Sequence, residues 1–238
     1  MKPGVRARIP MSLAVLALLA AAAPAPAATP PTGGTEAPER PRVSTATDGI
    51  FTVSVPSDVL LRRTAGFRGS VPAAAAGRTV TLERFDEATG IWLPVSATTV
   101  QEGGAFVAPW KADRPGAQRL RARLEAHGAS SSSASPELGL TVYRRQMATW
   151  YGPGLYGRRT ACGQRMTRRL QGVAHKRLPC GTRVALLHRG RTVVVPVVDR
   201  GPFRRRTRWD LTAATAAALG FTATARVGAL RVPGPARR

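Results

Sequence analysis

Between residues 43 and 143, apolar and polar positions alternate in short runs separated by turn residues. Ile50–Val55, Arg78–Phe85, Ile91–Val95, Gly103–Trp110, Arg119–Leu124 and Leu138–Tyr143 are the runs. A period of two turns one face of a strand inward and the other to water, so each run predicts a half-buried strand. Six such runs at nearly regular spacing, without a helical period, predict an all-β sandwich. Ala129–Pro136, with four serines in a row, predicts an exposed loop within it.

From 147 to 232 the pattern is again mostly strand. Ala148–Tyr151 opens it, and Thr182–Leu187 and Arg191–Val195 flank His188-Arg189-Gly190 as a hairpin. Pro196 then interrupts an apolar run, which predicts an edge or crossing strand there. Thr212–Gly220 is the one helix, with Thr212 as N-cap and Gly220 as its stop. Arg226–Val232 closes the set, and residues 233–238 form a short basic tail.

Charge divides the same two regions. The 238 residues hold 36 Lys+Arg against 13 Asp+Glu, a net +23. Residues 43–143 carry 10 basic and 9 acidic side chains, whereas residues 147–238 carry 19 and 2. A hydrophobic content of 43% excludes a wholly disordered chain. Lys2, Arg6 and Arg8 precede an apolar run from Met11 to Ala23 and the small residues Ala25-Pro26-Ala27, the layout of a signal peptide over residues 1–28. The run is shorter than the roughly 20 residues of a membrane span, so no span is expected once the signal is removed. No cysteine stands near the cleavage site to take a lipid. Residues 29–42 read as a flexible linker. Export redirects the basic surplus from nucleic acid to anionic cell-wall polymers, in a secreted, extracellular or wall-associated protein. The competing reading is a solvated arginine surface that follows from base composition alone.

Two cysteines, Cys162 and Cys180, both lie in the basic region. In an oxidising compartment such a pair forms one disulfide, contributing about 3 kcal/mol by loop closure. His175 and His188 add too few ligands for a metal, so none is expected. The region's two carboxylates are Asp199 and Asp210, and acid–base chemistry on a side-chain carboxyl must use them. Asp199 ends an apolar strand and enters Arg200-Gly201-Pro202, a turn that would present it at a groove or be held together by it. Asp210, two residues before the helix cap, could instead complement the helix N-terminus. Arginine density predicts depressed carboxyl pKa values, against the raised one a general acid needs. His188, in the hairpin turn, is expected to be solvated.

Five blocks carry a family resemblance. Ala148–Gly154, Tyr156–Gly163, Val173–Thr182, Val198–Phe203 and Trp209–Thr212 resemble, in order, the RlpA-like (rare lipoprotein A) double-psi β-barrel, and the cysteine pair resembles its secreted actinobacterial branch. The resemblance implies a six-stranded barrel with a shallow groove over residues 147–232. Residues 43–143 more loosely resemble the immunoglobulin-like spacer domains of exported bacterial proteins. The implied activity is that of a lytic transglycosylase cutting MurNAc–GlcNAc β-1,4 bonds of peptidoglycan, without a cofactor. Asp199 and His175 match the family's catalytic Asp and His, with Asp210 a third candidate; its Glu position holds Gln164, which cannot move a proton. A non-catalytic, expansin-like polysaccharide-binding protein is therefore the alternative. Gln164, Arg200, Trp150, Tyr151, Tyr156, Phe203 and Trp209 are the expected substrate contacts, with at most two of the aromatics exposed. Arg158, Arg159 and Arg204–Arg206 could meet wall phosphates or carboxylates. The expected partners are glycan strands and anionic wall polymers, met by a monomer.

Overall fold

The structure, a computed structural model, describes residues 43–126, 128 and 131–233. The signal segment 1–28, the linker 29–42 and the tail beyond residue 233 lie outside the described residues. The chain forms β1 (Val43–Thr47), β2 (Thr52–Pro56), β3 (Asp58–Leu60), β4 (Thr64–Ser70), β5 (Thr79–Asp86), β6 (Ile91–Thr99), β7 (Ala105–Lys111), β8 (Gly116–Leu124) and β9 (Ser133–Ala134). There follow β10 (Leu138–Tyr151), β11 (Val173–Ala174), β12 (Arg183–His188), β13 (Arg191–Asp199), β14 (Trp209–Thr212), helix α1 (Ala213–Leu219) and β15 (Ala225–Arg231).

The N-terminal lobe packs the sheet β1-β2-β4-β7 and the sheet β10-β8-β5-β6 around one core. Its buried residues fall at alternate positions: Val53 and Val55, Phe106, Ala108 and Trp110, Leu120, Ala122 and Leu124. On the polar side, Glu83 accepts from Arg121 and Arg123 at 2.8 Å each, and the guanidiniums of Arg119 and Arg121 lie over Phe85 and Trp92. The near-neutral balance of this lobe is thus a set of paired charges.

The C-terminal lobe is a closed, mixed barrel of six strands in the order β14-β11-β13-β12-β15-β10, with β10 returning to pair β14 in parallel. Leu186, Val195, Val197, Leu211, Leu219 and Val227 fill it. The helix is as the sequence predicts. Thr212 caps it, its hydroxyl accepting from the Thr215 N–H, and Gly220 ends it at a positive φ of 61°. Pro196 is the last residue of β13 paired to β12, and β11 takes up the other side from Val197. The missing N–H falls at that crossing.

The structure departs from the sequence reading in several elements. Leu138–Tyr143 and Ala148–Tyr151 are halves of one strand, β10, whose exposed Arg144 and Arg145 interrupt the apolar pattern. β4, reading Thr-Ala-Gly-Phe-Arg-Gly-Ser, hides its alternation behind small residues. Within the expected serine loop, Ser133–Ala134 pair with β8, and the buried Ser135 hydroxyl accepts from the Ala122 N–H. His188 is half-buried against Phe221 rather than solvated.

The lobes meet at Gly228 of β15. A Cβ there would stand 2.8 Å from the Tyr143 Cβ, 3.0 Å from Leu60 Cδ2 and 3.1 Å from the Leu187 Cβ. Tyr143 and Leu187 are held at their own main chains and cannot swing away. Gly228→Ala is expected to cost about 1–3 kcal/mol of stability by denaturant titration, through overpacking; an unchanged midpoint would refute this close packing.

Candidate functional site

Register brings Asp210 into a groove and joins Asp199 to that groove's lining through Tyr151. In the parallel pair β10–β14, Thr149 stands opposite Asp210 and Tyr151 opposite Thr212. Thr149 and Tyr151, two residues apart on one strand, present their hydroxyls to the same side. The Thr149 O–H donates to Asp210 Oδ1 at 2.7 Å, and the Tyr151 O–H donates to Asp199 Oδ2 at 3.3 Å. Asp199, the last residue of β13, also accepts from the backbone N–H groups of Ala161 and Arg200, each 2.8 Å from Oδ1. Both carboxylates are half-buried. The groove, about 420 Å³, has Asp210 and Tyr151 along its length, with Trp150 and Phe203 at its sides. Trp150 is 40% and Phe203 83% exposed, the two large aromatics of the barrel open to solvent.

Burial pushes the Asp210 carboxyl up; the Thr149 hydrogen bond and Arg204 pull it down, and the neighbouring Asp199 adds to the rise. Burial, then the Asp199 charge and hydrogen bond, push the Tyr151 phenol up, so it stays protonated and donates. The arginine-dense surroundings do not depress Asp210, contrary to the expectation from composition. Desolvation outweighs the cations.

The disulfide Cys162–Cys180, as expected from the cysteine count, ties the loop between β10 and β11 to the loop between β11 and β12. Arg200, which lines the groove, donates to Cys180 Sγ at 3.2 Å, so its guanidinium lies against the bridge. Ala161, beside Cys162, supplies one N–H to Asp199. The Gln164 amide, oriented to complement its neighbours, donates to the carbonyls of Cys162 and Val198 at 3.2 Å each. It braces the loop against the residue preceding Asp199.

Five expected site residues do not line the groove: Asp199 and Gln164, placed above, and His175, Trp209 and Tyr156. His175 is 2% exposed; its Nδ1 accepts from the Arg177 and Leu178 N–H groups at 3.1 and 2.9 Å, and its ring packs on Trp209 at 4.6 Å. Its backbone N–H reaches the Asp199 carbonyl, but the imidazole makes no hydrogen bond to that carboxylate. Trp209 is 4% exposed and donates to Gln146 Oε1 at 2.6 Å, so it cannot stack on a ligand. Tyr156 is half-buried with Arg168 over its ring, away from the groove lining. Conversely, the sequence reading overlooked Thr149 and the Ala161 N–H. The alternation Thr149, Tyr151 could have revealed the first, whereas a backbone donor leaves no trace in side-chain identity.

Two consequences can be measured. Replacing Cys162 and Cys180 by serine opens an 18-residue separation and is expected to lower stability by about 3 kcal/mol in a denaturant titration under oxidising conditions. Full stability in the double variant would show that the bridge constrains nothing. Burial, then Arg208, Arg200 and Lys176, push His175 down from 6.5 to about 4. Between those values the unfolded chain binds a proton that the folded chain refuses, so His175's contribution is complete above pH 6.5 and is lost as pH falls toward 4. His175→Asn is expected to flatten the stability slope in that window; an unchanged slope would remove His175 as its source.

Residues 144–233 match the family model described as lytic transglycolase. The chain is 49% identical over 77 residues to the probable endolytic peptidoglycan transglycosylase RlpA of Synechocystis sp., covering 32% of this chain and 24% of that one. It is 46% identical over 81 residues to the same-named protein of Aquifex aeolicus, covering 33% and 36%. It is 38% identical over 80 residues to the endolytic peptidoglycan transglycosylase RlpA of Campylobacter jejuni, covering 33% and 29%. The matched region thus spans between a quarter and about a third of these relatives. The carboxylate-bearing lobe, residues 144–233, is an RlpA-like double-psi β-barrel.

Proposed function

We propose that the chain is an exported wall protein whose barrel cuts peptidoglycan glycan strands as a lytic transglycosylase. The observation that carries this reading is Asp210, its carboxyl pushed up by burial, in a groove flanked by the exposed rings of Trp150 and Phe203, with Asp199 joined to that groove through Tyr151. Asp210, raised by burial, is the general acid. It protonates the glycosidic oxygen as the C1–O bond of the muramic unit breaks. The 6-hydroxyl of that same sugar then attacks C1, and its proton returns to the Asp210 carboxylate. The product is a 1,6-anhydro sugar, no water is consumed, and one acid/base suffices.

Asp199, gathered by three donors, serves as the acceptor that stabilises positive charge developing at the ring. The sequence alone favours Asp199 as the acid, but the burial of Asp210 favours this exchange of roles. His175 is a positioning residue, fixing the Arg177–Leu178 turn. Gln164 takes no proton and braces the loop. Trp150 and Phe203 offer faces for sugar rings.

Intact sacculi incubated with the protein and analysed by mass spectrometry provide the test. Anhydromuropeptides are expected from the wild type. Asp210→Asn is expected to lower the rate by on the order of 10²–10⁴-fold while the protein still sediments with the sacculi. Since the acid must carry its proton, the wild-type rate is expected to fall as pH rises through the elevated Asp210 pKa. Sedimentation without products would instead establish the binding-only reading, and reducing-end products would establish a hydrolase.

A further inference from the structure

Two clefts open on the barrel where it meets the sandwich, apart from the carboxylate groove. The first, about 420 Å³, places Arg63, Arg145, Arg189 and Arg226 around an apolar floor that includes Leu60 and Val227. The second, about 670 Å³, is lined by Arg62, Arg206 and Arg208, and it shares Arg145 and Arg226 with the first. The shared pair makes one continuous band of seven exposed arginines.

These arginines differ from those of the sandwich. Among the described residues, ion pairs join Arg114, Arg119, Arg121 and Arg123 to carboxylates, and none includes a residue of the band. The carboxylate at the first cleft, Asp58, is engaged by the Tyr143 O–H at 2.8 Å. Like charges gathered from separate elements repel, and an anion laid among them relieves that repulsion.

A second observation is independent of charge. Three non-glycine residues are described with positive φ: Arg62 at 69°, Arg189 at 50° and Arg206 at 65°. All three are arginines and all three line the band. Glycine would occupy such positions without the Cβ clash that arginine meets. A surface set by base composition has no reason to concentrate that cost here, whereas a binding surface does.

We propose that the band binds a linear phosphodiester polymer laid along both clefts. The guanidiniums come from the β3–β4 turn, β10, the β12–β13 turn, the loop before β14, and β15, so they approach from more than one wall. A phosphodiester directs its two anionic oxygens out of a tetrahedral centre and repeats that charge along a flexible chain, so guanidiniums on different walls can each meet one. The band follows two clefts between lobes held together at Gly228, a course that a flexible linear chain can trace along its length. Only the choice of a wall polymer rests on the proposed function; the binding itself is independent of glycan cleavage.

The test titrates the full chain with poly(glycerol phosphate), with poly-L-glutamate of equal charge and with phosphatidylglycerol vesicles. The phosphodiester polymer is expected to bind at least about tenfold tighter than either competitor. R145Q/R226Q is expected to weaken it by about tenfold and to make its salt dependence shallower, whereas R165Q/R169Q, which removes equal charge outside the band, changes it less than about twofold. Equal weakening by both double variants would overturn the proposal, reducing it to net charge. So would glutamate polymer or vesicles binding as tightly as the phosphodiester. Poly(glycerol phosphate) has no glycosidic bond, so this outcome and that of the sacculus assay are separable.

Discussion

Strand β10 is the constraint on which the rest of the structure depends. Its first half pairs with β8 and β3 in the sandwich, and its second half pairs with β15 and β14 in the barrel. Side chains alternate along a strand, so one register decides every face. A one-residue slip against β14 would turn Thr149 and Tyr151 into the core and bring Trp150 into their place. The hydrogen bonds to Asp210 and Asp199 would be lost together. The site is therefore a property of register first and of individual side chains second.

The chemistry of the groove is a contest between cations and desolvation. Nineteen basic residues surround two acids in sequence, and charge counting alone predicts that both give up their protons too early to act as general acids. Most of those arginines end in water, where their fields are screened. Asp210 is half-buried beside Thr149 with another carboxylate nearby, and removal of water acts on it at contact range. Arg204 is the cation that works against this, and it does not prevail.

Legibility in the sequence followed the range of the interactions. The helix was readable because its cap and its stop are local, one hydroxyl and one glycine. The disulfide was readable because two cysteines allow one pairing. The barrel was readable through its resemblance, block by block. What escaped depends on distant partners: β11 and β14 are short segments that become strands only by pairing with each other and with β13 and β10. His175 and Trp209 escaped for the opposite reason. Histidine and tryptophan read as functional types, yet here the imidazole clamps two backbone N–H groups and the indole is spent on Gln146.

The shared strand also bears on what the sandwich is for. A barrel begun at residue 147 would keep the pairs that position Thr149 and Tyr151, but it would lose Arg144↔Ala229, Arg145↔Gly228 and Gln146↔Val227. Without Gln146 the Trp209 indole loses its acceptor, and the ring on which His175 packs loses its anchor. Without Leu60 and Tyr143 the close contact at Gly228 opens. The sandwich supplies one wall of the arginine band and the first half of the strand that registers the carboxylates. It acts on the barrel through backbone pairing, a tighter coupling than a spacer joined by a linker could provide.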